Sequence, residues 1–199
     1  GGGAVSPSAF ENAPRLAPRC RAEWRRWLAQ HHAESSGVWL VLPKKASGLP
    51  GPTYEESVEE ALCFGWIDSR TRPLDEGRRL QWYCPRRPGS IWSALNKARV
   101  ARLLEAGLMA PAGLARVEAA RADGSWEILD RVDALTVPDD LAAALTATPR
   151  AAGGFAGLTP SVQKECLYWV LSAKRSPTRA ARVAAVAAAA AKGRSPFLP

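Results

Sequence analysis

The sequence predicts an α+β protein, with a small antiparallel sheet and helices in the N-terminal half and an all-helical C-terminal half. Three observations carry that expectation. The run VWLVL at 38–42 is short and uniformly apolar, which suits a buried strand better than an amphipathic helix. WIDSRTR and RLQWYC flank PLDEG, a turn-forming stretch between two extended segments. Beyond Gly107 the apolar residues recur at helical spacing between Gly and Pro punctuation, without further strand alternation. A flexible lead is expected over 1–14 and a single domain over 15–195, made of an α/β lobe (15–107) and a helical lobe (108–195). The 199 residues, 47 % apolar and 23 % charged, suffice for one well-buried core.

The elements follow in order. The Pro/Gly/Ser-rich start has no periodicity, and disorder is expected to around residue 18. In CRAEWRRWLAQHH, Trp24, Trp27 and Leu28 fall on one helical face, and Gly37 closes the segment. KASGLPGP is a loop leaving the first strand. Thr53 then stands three residues before Glu56, the capping-box spacing in which each side chain satisfies an orphaned backbone donor. Val58, Ala61 and Leu62 form that helix's apolar face, and Gly65 is its left-handed stop. In the second hairpin strand Leu80, Trp82 and Cys84 share one face, while Gln81 and Tyr83 share the other. Ser90 is the expected cap of the helix in IWSALNKARVARLLEAG, which Gly107 closes. Further helices are expected from Pro111 to before Gly124, in DDLAAAL, after Thr159-Pro160, and from Ser176-Pro177 to Gly193. In the third of these, Val162, Cys166, Trp169 and Val170 align. AAGGF at 151–155 reads as a loop, because no strand precedes it as a nucleotide fingerprint would require.

Composition narrows the setting. The net charge is +8, from 27 basic and 19 acidic side chains, which favours anionic ligands or surfaces. Arginine outnumbers lysine 21 to 6 alongside abundant alanine and proline, the signature of GC-rich coding and a high-GC bacterium. No apolar run of about 18 residues occurs, so no membrane span is expected. GGGAVSPSAFENAP lacks the basic and apolar regions of a secretory signal, so Cys20, Cys63, Cys84 and Cys166 are expected as reduced thiols in a cytoplasmic protein.

Candidate site residues concentrate between 66 and 97. Arg70, Arg72, Arg78, Arg79, Arg86, Arg87 and Lys97 interleave there with Trp66, Trp82, Tyr83 and Trp92. Arginines beside indole faces can hold a planar or anionic ligand by stacking and forked hydrogen bonds. Lys44 and Lys45 are placed on the same rim, and Asp68 either orients an arginine or touches ligand. Ser90, with Trp92 and Asn96, follows the Arg86-Arg87 pair at an expected helix start, where backbone donors favour an anion. The competing reading makes the tryptophans core and Asp68 a structural ion-pair partner. For catalysis the candidates are Asp68 and Cys63. His31 and His32 sit together after a helix, away from Cys63 in sequence. No metal-ligand set or cofactor motif appears, so neither a metal nor a cofactor is expected.

Several stretches in order, EWRRWL, GVWLVLPKK, ALCFGWIDS, CPRRPGSIWSALN, GLMAPAGL, VPDDLAAAL and YWVLSAKRSPTRAAR, resemble the bacterial YdeI/OmpD-associated family, also described as bacteriocin-protection proteins. The resemblance covers roughly 15–195. It departs from the family at Cys84, where similar proteins carry Thr before the Pro-Arg pair. The resemblance implies resistance to antimicrobial peptides. The expected function is therefore binding of a small aromatic or anionic molecule, or an antimicrobial peptide, in a Trp/Arg-lined pocket. In an antibiotic producer this is self-resistance by sequestration. Two alternatives stay open: an enzyme modifying an aromatic natural product through Asp68 or Cys63, and a single-stranded nucleic-acid binder.

Overall fold

The apolar run at 38–42 becomes an inner strand of a four-stranded sheet in the structure, a computed structural model that describes residues 11–198. The flexible lead expected over 1–14 thus falls mostly outside the described residues. The fold is α+β. Two compact units interleave along the chain: Gly1–Pro88 with Leu95–Ala119, and Gly89–Ala94 with Ala120–Pro199.

The first unit holds the sheet. Its strands are β1 (Arg15–Leu16), β2 (Val38–Pro43), β3 (Trp66–Pro73) and β4 (Arg78–Pro85), in the order β1-β2-β4-β3. The expected hairpin is β3–β4, with Asp68 opposite Tyr83 and a bulge before Thr71 opposite Gln81. The sheet is mixed rather than purely antiparallel. Arg15 and Leu16 pair parallel to Trp39 and Leu40, in a segment expected to be disordered. Two residues are too few to leave a sequence pattern, and the pairing relies on backbone groups, such as the Trp39 N–H donating to the Pro14 carbonyl at 3.0 Å.

Strand alternation fills both faces. Trp39, Leu80 and Trp82 cluster on one face with Val41 and Cys84. Tyr83 lies on the other, its ring 5.3 Å from Trp24. That face is covered by α1 (Arg21–His31) and α2 (Tyr54–Cys63), where Trp24 donates to the Ser57 carbonyl at 3.0 Å. The capping box forms as expected: Thr53 Oγ1 accepts from Glu56 N–H at 3.1 Å, and Glu56 Oε1 from Thr53 N–H at 2.9 Å. Glu60, 4 % exposed, is held between Arg21 and Arg25, each at 2.9 Å. Gly65 turns the chain at φ +74°, where an added Cβ would meet Arg116 Cγ at 2.7 Å. Helix α3 (Ala94–Glu105) begins at Ala94, so Ser90 is not its cap; Ser93 holds the preceding position. Helix α4 spans Pro111–Asp123.

The second unit is helical. It contains α5 (Ile128–Asp133), α6 (Asp139–Ala147), α7 (Ala151–Ala156), α8 (Pro160–Leu171) and α9 (Ser176–Ala191) around Leu141, Ala151, Cys166, Leu167 and Val170, all 0 % exposed. AAGGF is not a loop: it is α7. Its second glycine lets the alanine-rich α9 approach, since a Cβ on Gly154 would lie 1.7 Å from the Ala190 carbonyl oxygen. Small residues there serve contact between backbones, which local breaker rules do not anticipate.

Candidate functional site

The loop between β2 and α2 is tied down where it leaves the strand. Lys44 N–H donates to the Gly77 carbonyl at 2.8 Å, and Ser47 Oγ to the Lys44 carbonyl at 2.8 Å. Gly77 has no Cβ, and one added there would lie 2.7 Å from the Leu49 methyl Cδ1. Between this strap and the start of α2 opens a cleft of about 690 Å³, lined by Pro43, Lys44, Lys45, Leu49, Tyr54, Glu55 and Arg79 among others.

Its chemistry is set by few groups. The Arg79 guanidinium lies 5.2 Å from the centroid of the Tyr54 ring, a cation–π arrangement. The Tyr54 hydroxyl donates to Asp68 Oδ2 at 2.5 Å. Burial, then the hydrogen bond to Asp68, pushes the Tyr54 phenol up to about 12. Glu55, the one carboxylate on the lining, is grasped at two points by Arg99: Nε to Oε1 at 2.8 Å and Nη2 to Oε2 at 2.5 Å. Those bonds hold its carboxyl below the ordinary value of 4.5. Asn96 Oδ1 in turn accepts from Arg99 Nη1 at 2.8 Å. Among the described residues, Lys44, Lys45 and Arg79 enter no ion pair. A neighbouring cleft of about 480 Å³ differs in this respect: its Arg78 is paired with Asp75 at 2.7 Å.

The expected site residues separate. Lys44 and Lys45 lie on the cleft, with Asp68 behind it, hydrogen-bonded to Tyr54. Arg70 is exposed, and its carbonyl accepts from Gln81 Nε2 at 3.1 Å. Trp66 is 1 % exposed, donates to the His32 carbonyl at 3.3 Å and meets Trp27 edge-on. Trp82, 4 % exposed, faces the opposite side of the sheet against Trp39, and its ring occupies the space a Cβ on Gly37 would need. Trp92 belongs to the second unit, 2 % exposed against Trp126. These three indoles therefore present no open face as they stand. Arg86 is buried, and burial pushes its guanidinium down to about 10 against the pull of Asp68. Arg87 is exposed and Ser90 half-buried.

Cys63 is 0 % exposed at the end of α2, and burial pushes its thiol up against the pull of Arg25. His32 Nδ1 is engaged by the Leu28 carbonyl and His31 by Glu34. Tyr54 and Glu55 escaped sequence reasoning. Tyr54 stands four residues before Val58 and seven before Ala61, so its spacing reads as one more core position.

Comparison with known proteins divides the chain in two. Residues 16–116 match a domain of unknown function (DUF8412), and residues 134–193 match the family described as bacteriocin-protection, YdeI or OmpD-associated. No curated protein and no solved structure matches. The stretches VPDDLAAAL and YWVLSAKRSPTRAAR fall inside the bacteriocin-protection match, whereas ALCFGWIDS and CPRRPGSIWSALN fall inside the other. Matched over just over half of its length, the chain belongs to the DUF8412 family, and its residues 134–193 carry the bacteriocin-protection, YdeI or OmpD-associated signature.

Proposed function

We propose that this protein protects its cell from an antimicrobial compound by binding it, with the acidic part of a small molecule or peptide seated in the cleft of Lys44, Lys45, Tyr54 and Arg79. One observation carries the reading: three cationic side chains share a concave lining whose single carboxylate is already engaged by Arg99. Uncompensated positive charge gathered on a concave lining favours an anion. The bacteriocin-protection match supports the resistance theme. Sequestration is preferred over turnover because neither the Tyr54 phenol nor the Cys63 thiol is poised to react. A phenol pushed up to about 12 stays protonated at neutral pH, and a fully buried thiol is no nucleophile.

The test is survival of sensitive cells expressing wild type or a K44A/K45A/R79A variant whose circular dichroism matches wild type. The variant should protect no better than an empty vector, and compound recovered from wild-type cells should have unchanged mass. Full protection by the variant, or a changed mass, overturns the reading.

A further inference from the structure

Resting on the reading of this cleft as the binding site, its donor groups define the acid they suit. The Arg79 guanidinium carbon lies over the Tyr54 ring, 5.2 Å from its centroid. A guanidinium held over a ring still offers a planar fork of N–H donors. Tyr54 cannot add a donor, because its only hydroxyl hydrogen is committed to Asp68. The remaining donors on the lining with a charge are the ammonium groups of Lys44 and Lys45. Glu55 does not neutralise them, being held by Arg99. A carboxylate would bring one negative charge and two oxygens to three cationic groups. A phosphate monoester brings roughly −1.5 to −2 at pH 7 and three acceptor oxygens. Pro43 and Leu49 supply apolar surface for an organic body beside it.

We propose that the cleft is selective for a phosphomonoester-type dianion on a small organic body, grasped by the forked donors of Arg79 and completed by Lys44 and Lys45. Asp68 is its positioning residue, fixing the Tyr54 ring on which Arg79 rests. This gives the carboxylate at the end of the ALCFGWID stretch a role it exerts through another side chain.

Calorimetric titration of the full chain with phenyl phosphate, inorganic phosphate, benzoate and benzyl alcohol tests this. Phenyl phosphate should bind one-to-one, about tenfold tighter than benzoate and tighter than inorganic phosphate, with no heat from benzyl alcohol. R79K keeps the charge and loses the fork, and should weaken phenyl phosphate about tenfold. D68A should weaken it about fivefold, while D68N, which keeps an acceptor for the phenol, stays within about twofold of wild type. Alkaline absorbance titration gives a readout specific to the pair: D68A lowers the Tyr54 transition from about 12. Benzoate binding as tightly as phenyl phosphate, R79K matching wild type, or D68A leaving both affinity and the tyrosine transition unchanged would overturn the proposal. Its failure is separable from that of the protective reading. If K44A/K45A/R79A abolishes protection although phenyl phosphate never bound, the ligand class falls and the cleft stands. If the variant loses phenyl phosphate yet still protects, the ligand class stands and protection lies elsewhere.

Discussion

Asp68 stands on a strand rich in arginine, yet its closest hydrogen bond comes from a phenol fourteen residues earlier in the chain. Its neighbour Glu55 shows the complementary arrangement, a carboxylate on the lining removed from play by Arg99, whose side chain is 8 % exposed. Arg99→Ala should free Glu55 to neutralise Lys44 and Lys45, weakening phenyl phosphate about threefold to tenfold in calorimetry. The same change should cost about 1 kcal/mol of stability in urea at pH 7, a modest figure because Glu55 is 47 % exposed. The pH dependence has a fixed sign. Glu55 has a folded value below 4.5, so the pair's contribution is complete above 4.5 and is lost as pH falls through the lowered value. Wild type and Arg99→Ala should therefore converge in stability toward low pH. A fully buried pair, Ser57 Oγ with the Tyr83 hydroxyl at 2.5 Å, predicts that Tyr83→Phe costs about 1–2 kcal/mol in the same assay. At this scale, sequence disclosed residue types but not exposure. Trp66, Trp82 and Trp92 looked like binding surface because they lie among arginines, and each is enclosed by another aromatic. Lys44 and Lys45, which leave the end of a strand, are exposed.

Elements governed by local rules were legible. The capping box of α2, the β3–β4 hairpin and the Thr159 cap of α8 each rest on contacts within a few residues, so spacing alone revealed them. Those governed by distant contacts were not. β1 exists because β2 offers it an edge, and α7 because Ala190 needs a surface without side chains. The two adjacent glycines of α7 make a paired prediction. Gly154→Ala should lower stability by about 2 kcal/mol or more, since its Cβ would meet backbone that cannot move aside. Gly153→Ala has nothing within 4 Å and should be neutral or gain about 0.5–1 kcal/mol from helix propensity. Equal effects in thermal melts would refute the packing account.

Across the whole molecule, the charge is less uniform than its net of +8 suggests. The acidic run of α2 is matched by Arg21, Arg25, Arg99 and Arg102, which leaves the cleft's cations outside that network. The class, α+β, was readable from pattern alone; the match of residues 16–116 to a separate family model was not, since both halves resemble the family whose model matches residues 134–193. A discrete anion site also behaves differently from a nucleic-acid track. Phenyl phosphate affinity should fall less than about tenfold between 50 and 200 mM salt, whereas a protein neutralising six to ten phosphates loses about 10³–10⁵. Whether the cleft of Lys44, Lys45 and Arg79 binds an anion is decided by one calorimetric comparison, titrating phenyl phosphate into wild type and into folded K44A/K45A/R79A. Wild type should give saturable one-to-one heat and the variant none. Identical saturable heat from both proteins, or none from wild type, would contradict anion binding there.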